Sequence, residues 1–93
     1  MKFRKKPVVI DAWRWPELGS TPEEFSAFRS MMAEELGPLW GGVGTVFSSG
    51  GFWVQTLEGR MEGLPGDWLI KGVEGELYPC AHKIFMKTYE EAA

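Results

Sequence analysis

Few residues in this chain are of the types that carry chemistry. Cys80 and His82 stand two apart, a spacing that in a strand puts a thiol and an imidazole on one face. His82 falls past the strand expected to end at Cys80, however. It is also the only histidine, so no histidine metal pair can form. Serines and lysines are present, but none sits in a nucleophile elbow or beside an evident base. Asp11 and Asp67 are the only aspartates, and Asp67, directly after Pro65-Gly66, is expected to cap the N–H groups of a turn. A single cysteine outside any CxxC or Cys/His cluster argues against structural zinc. No catalytic residue, metal or cofactor is expected.

Binding chemistry has better material. If residues 65–80 form a hairpin closed by a two-residue Glu74-Gly75 loop, Lys71 faces Tyr78, a cation beside an aromatic ring. Arg4, Lys5 and Lys6 form a basic start, and Trp13, Trp15 and Trp53 are aromatics that an exposed face could use. Stacking on tryptophan or tyrosine with a cation nearby is how a base and its phosphate are held, so these eight residues are the candidate site for a small anionic or nucleotide-like ligand. The same aromatics, without a catalytic group, also fit a factor that docks on another protein. Both readings stay open. The bland alternative is a half-exposed sheet face and a solvated terminus.

The elements that must position these residues are legible in turn and cap signals. Pro65-Gly66 reads as a type II turn, and residues 68–73 as a strand. In the two-residue register Leu69 faces Cys80, and Trp68, Ile70 and Leu77 make an apolar face destined for the core. Leu57-Glu58-Gly59 repeats the pattern of Val73-Glu74-Gly75, implying two successive hairpins. Residues 7–15 alternate as a first strand stopped at Pro16, with Val8, Ile10 and Ala12 facing the core and Trp13 and Trp15 facing away. Thr21-Pro22-Glu23-Glu24 is a capping box with proline at the first helical position. The helix should run to Leu36, bury Phe25, Phe28, Met32 and Leu36, and stop at Gly37-Pro38.

The Gly-rich residues 39–51 lack the Lys-Ser/Thr ending of a phosphate loop, so a short strand over residues 43–47 and a Ser48-to-Gly51 turn are expected there. Ile84, Phe85, Thr88 and Tyr89 recur at helical spacing and predict a short terminal helix or turn. The fold expected is α+β: one antiparallel, strongly curved, barrel-like sheet of five to six strands, with one long helix inserted after the first strand and a short helical C-terminus.

Ninety-three residues make one domain, residues 1–93, which buries roughly 60–70% of its unfolded surface. The longest apolar runs are a few residues, too short for a membrane span, so a soluble cytoplasmic protein is expected. A net charge of −3 argues against sequence-blind nucleic-acid binding. Five tryptophans and unguarded sheet edges in so short a chain favour a symmetric homodimer, with Trp13 and Trp15 at the contact.

Arg4-Lys5-Lys6-Pro7-Val8-Val9-Ile10 with Ala12 and Trp15, Thr56-Leu57-Glu58-Gly59 with Met61, residues 65–80, Ile84-Phe85 and Thr88-Tyr89-Glu90 together resemble a family of small proteins encoded by tailed bacteriophages and prophages. The likeness spans both ends of the chain and is most specific from Thr56 onward, while residues 17–51 stand as a variable insert. It implies a phage accessory protein acting in an infected or lysogenic bacterium, where the small ligand expected for the candidate site would be, for example, a host-defence signal. It implies no reaction, ligand or catalytic residue. Ala81-His82 departs from the family's pattern of a charged residue followed by proline.

Overall fold

A computed structural model describes residues 1–92. Helix α1, Pro22–Leu36, begins on the expected capping box: the Glu24 N–H donates to Thr21 Oγ1 at 3.1 Å, and the Thr21 N–H donates back to Glu24 Oε1 at 3.4 Å. It ends where Gly37, at φ 55°, turns its N–H onto the Ala33 carbonyl. Met32 and Leu36 are buried, and Phe25 and Phe28 pack beside them, so the apolar stripe faces the core as its spacing requires. A 3-10 turn, Gly37–Gly42, then delivers the chain to the first strand of the Gly-rich region.

Among the described residues six strands form: β1 Asp11–Arg14, β2 Val43–Val46, β3 Gly51–Thr56, β4 Gly59–Gly63, β5 Trp68–Lys71 and β6 Leu77–Cys80, followed by α2 His82–Thr88. All pairings are antiparallel. In place of one curved, barrel-like sheet there are two three-stranded sheets, ordered β1-β5-β6 and β2-β3-β4. The break falls at residues 64–67. Pro65 has no N–H to give a ladder, the Asp67 N–H donates to the Leu64 carbonyl, and the Asp67 carboxylate accepts the Leu64 N–H. The Gly66 N–H and the Asp67 carbonyl bond instead to Trp15, so the chain leaves β4 and pairs with β1. Arg14 Nε secures the same corner on the Gly66 carbonyl at 2.8 Å.

The β5–β6 register differs from the two-residue expectation by one residue. Gly75 N–H donates to the Gly72 carbonyl and Gly72 N–H donates to the Glu76 carbonyl, which makes the loop Val73-Glu74-Gly75. Lys71 therefore pairs with Leu77, Ile70 with Tyr78 and Trp68 with Cys80. A one-residue slip exchanges faces, so Leu69 and Leu77, rather than Ile70 and Leu77, point into the main core. Gly75 sits at φ 83° in open space, so a side chain there meets no neighbour and its whole cost is conformational. Gly75→Val should lose about 1–2 kcal/mol. An unchanged melting temperature would show that the turn does not require the left-handed residue.

The first strand is also shorter than its alternation suggested. β5 ends at Lys71, opposite Asp11, and the hairpin loop lies beyond it, so residues 1–10 have no strand to pair with. Val8 is exposed as a result. The β1 face that carries Trp13 lies beside Leu69 and turns inward, which reverses the expected sides. Trp15 is 1% exposed and central: it stacks on Phe52 at 4.7 Å and meets Phe25 and Phe28 edge-on, and its indole N–H donates to the Gly50 carbonyl at 3.1 Å. One core cluster thus joins α1, both sheets and the Trp40 of the 3-10 turn.

Candidate functional site

The eight candidate ligand residues do not meet. Trp15 is the centre of the core and has no surface to offer; Trp13 packs against that core. Trp53 lies on the outer face of the β2-β3-β4 sheet, across Gly44, with the Arg60 guanidinium 4.0 Å over its ring. Lys71 and Tyr78 fall on opposite faces of the other sheet because of the register. Arg4, Lys5 and Lys6 lie on the exposed arm of residues 1–10, where Lys5 Nζ sits 5.8 Å over the Tyr89 ring.

Around Tyr78 the face covered by α2 is a stack of rings. Trp68 lies parallel on Phe85 at 3.9 Å, Phe85 meets Tyr89 at 5.0 Å, and the Tyr89 hydroxyl neighbours that of Tyr78. The start of α2 is tied down by the His82 N–H, which donates to Asp67 Oδ1 at 3.0 Å, so Asp67 caps both the corner and the helix. Trp68 Nε1–H donates to His82 Nδ1 at 3.0 Å, and Cys80 Sγ donates to the Ala81 carbonyl. The imidazole nitrogen nearest the strand is therefore engaged by an indole rather than a thiol. Burial, then the Asp67 carboxylate, pushes the Cys80 thiol up from its ordinary value, away from a reactive thiolate.

Tyr78 is pushed up to about 12, first by burial and then by the neighbouring Tyr89 hydroxyl and the charges of nearby groups such as Glu76. Its folded form keeps a proton that the unfolded chain releases near pH 10, so its contribution to stability is whole below pH 10 and is lost as pH climbs towards 12. Tyr78→Phe cannot titrate. Urea midpoints measured across this range should fall more steeply for the wild type than for Tyr78→Phe; parallel curves would contradict the shift.

A further surface feature is one that the motifs did not indicate. An open groove of about 740 Å3 runs between α1 and β2. Phe25, Trp40 and Thr45 line it, with Leu18 and Phe47 also on its wall. Phe47 is 93% exposed and Leu18 79%, so two large apolar side chains stand unpartnered at its rim. On the α1 side Ser26, Ser30 and Ala33 leave a line of small residues along the helix, with Arg29 beside them in the wall. β2 pairs with β3 on one side only, so its other edge is free. The floor is stiff, because Phe25 and Trp40 both pack on the buried Trp15. Ser26, Ser30 and Ala33 at i, i+4 and i+7, one step round from the Phe25-to-Met32 stripe, were the available sequence signal for this lane.

Among the described residues, no three His, Cys, Asp or Glu side chains converge as a metal site would need, and no helix is long and apolar enough to cross a membrane. No family model, curated protein or solved structure matches this chain.

Proposed function

We propose that this chain is a protein-interaction factor that takes up an extended segment of another protein in the α1–β2 groove. The observation that carries the reading is a free strand edge beside a groove with an aromatic floor. A peptide added to β2 gains main-chain hydrogen bonds from the edge, and its alternate side chains enter the space left by Ser26, Ser30 and Ala33. Phe47 and Leu18 supply apolar contact at the rim. The likeness of residues 4–10 and 65–80 to phage-encoded proteins makes a phage or host protein the partner class.

A small anionic ligand would need its cations and aromatic rings round one cavity. Here Lys71, Tyr78, Trp53 and the Arg4-to-Lys6 run belong to separate surfaces, which favours the docking reading.

A photoreactive residue at Ser30, in the groove wall, should crosslink a partner segment in bacteria that express the protein. The same residue at Arg60, on the outer face of the β2-β3-β4 sheet, should not. Crosslinks from Arg60 but none from Ser30 would move the docking surface to that outer face.

A further inference from the structure

We infer that the α1–β2 groove is filled, in the absence of another partner, by residues 1–6 of a second copy of this chain, the two copies exchanging arms. The inference rests on the groove reading above and names the occupant.

The arm has the form of a docking segment. Residues 1–10 belong to no helix or strand, and Phe3 is 89% exposed. The chain exposes 7021 Å2, whereas a folded monomer of its 10.5 kDa exposes about 5,400 Å2. The difference, about 1,600 Å2 per copy and so about 3,200 Å2 for a pair, falls within the roughly 2,000–5,000 Å2 that obligate homodimer interfaces remove from water. Elongation agrees: the molecule measures 49 Å along its longest axis but 28 and 26 Å across.

Charge and spacing point the arm at the groove. Lys2, Arg4, Lys5 and Lys6 give residues 1–10 a charge of +4 with no acid, while the six other cations against thirteen acids leave the remainder at −7. Helix α1 carries Glu23, Glu24, Glu34 and Glu35 against Arg29 alone. At about 100° per residue, Glu23 and Glu34 fall next to Ser30 at the solvent rim, outside the groove lining, whose own charged residues are Glu17 and Arg29. In an extended Lys2-Phe3-Arg4 segment, Phe3 points one way and the two cations the other, so Phe3 can enter over Trp40 while the cations face the acidic helix.

The lengths agree as well. The wall from Pro22 to Ala33 spans about 17 Å, and six extended residues span about 20 Å. Pro7 then ends the added strand, since it brings no N–H to the ladder. A chain is badly placed to fill its own groove: the arm leaves β1 at Asp11, whereas the groove opens at Pro16 beyond the other end of β1. Reciprocal exchange closes as a two-fold pair, and a foreign segment must displace the arm to bind.

Sedimentation equilibrium of the full chain tests this with two single variants. The wild type should be a dimer at tens of micromolar, more weakly so at high salt. Phe3→Asp, which puts a charge into the groove, and Ser30→Trp, which fills it, should each weaken self-association by about 100-fold or more, because both arms of the pair are affected. Both positions are exposed, so folding is unaffected, as circular dichroism will confirm. An equimolar mixture of the two variants should regain pairs, since the intact arm of one copy meets the intact groove of the other. A wild type that stays monomeric at millimolar concentration, a Phe3→Asp protein that still dimerises, or a mixture that stays monomeric would each overturn arm exchange. If Ser30 crosslinks to a partner in cells despite such a result, the groove reading survives; if those crosslinks are absent too, both fall.

Discussion

Trp15→Ala should lower the melting temperature by about 15–30 °C, the largest effect of any single substitution at a core position. Deleting a buried tryptophan costs about 3–5 kcal/mol, and each kcal/mol moves the midpoint of a domain this size by about 4–8 °C. Trp15 belongs at the upper end. It supports Phe25, Phe28, Trp40 and Phe52 at once, and its removal also takes away the N–H that pairs the Gly50 carbonyl. Since Phe25 and Trp40 line the groove, any folded remainder should also lose groove binding. Trp15→Phe keeps the ring contacts and should recover about half the loss. A melting temperature within a few degrees of wild type for Trp15→Ala would mean that Trp15 is not the centre of the core.

Asp67→Ala should cost about 2–4 kcal/mol, because one carboxylate accepts two backbone N–H groups, from Leu64 and from His82. The first bond sets the corner that separates the two sheets. The second anchors the start of α2, a seven-residue helix too short to hold itself in water. Freed of that bond, α2 should fray and Phe85 should leave the face of Trp68, exposing an indole that now lies stacked. The expected signature is a lower urea midpoint together with a red shift in tryptophan emission before the main transition. Asp67→Asn retains one carbonyl acceptor and should fall between the two. A purely global loss of stability, with no early spectral change, would show that α2 is held by its ring contacts alone.

The parts of this fold that could be read from sequence are those fixed by neighbouring residues. The Thr21 capping box, the Gly37 stop, the Pro65-Gly66 turn and the capping role of Asp67 all depend on atoms within a few residues, and each stands as expected. The helical stripe of Phe25, Phe28, Met32 and Leu36 is equally local. Register and sheet membership are not local. Glu74-Gly75 suits a two-residue loop or the last two positions of a three-residue one, and only the long-range pairing of Leu69 and Leu77 with the core decides between them.

Likewise, the alternation from Pro7 to Trp15 marks two faces but not which is buried. The shortness of β5 and the position of α1 turned Trp15 inward and left Val8 outside. The candidate site is dispersed for the same reason: Lys71 and Tyr78 are partners in the two-residue register and lie on opposite faces in the observed one. The groove is not legible in the sequence because it depends on small residues, whose contribution is the space they leave, and on a strand edge that exists only once the two sheets have separated.

Amide hydrogen exchange at β2 tests most directly whether the α1–β2 groove accepts an added strand. The monomeric Phe3→Asp chain leaves the groove free, and a synthetic peptide of residues 1–10 serves as the probe. At saturating peptide, the β2 amides that point away from β3 should exchange at least tenfold more slowly, while those on the free edge of β4, across the same sheet, keep their rate. Unchanged exchange at β2, or protection that appears at β4 instead, would contradict strand addition in this groove.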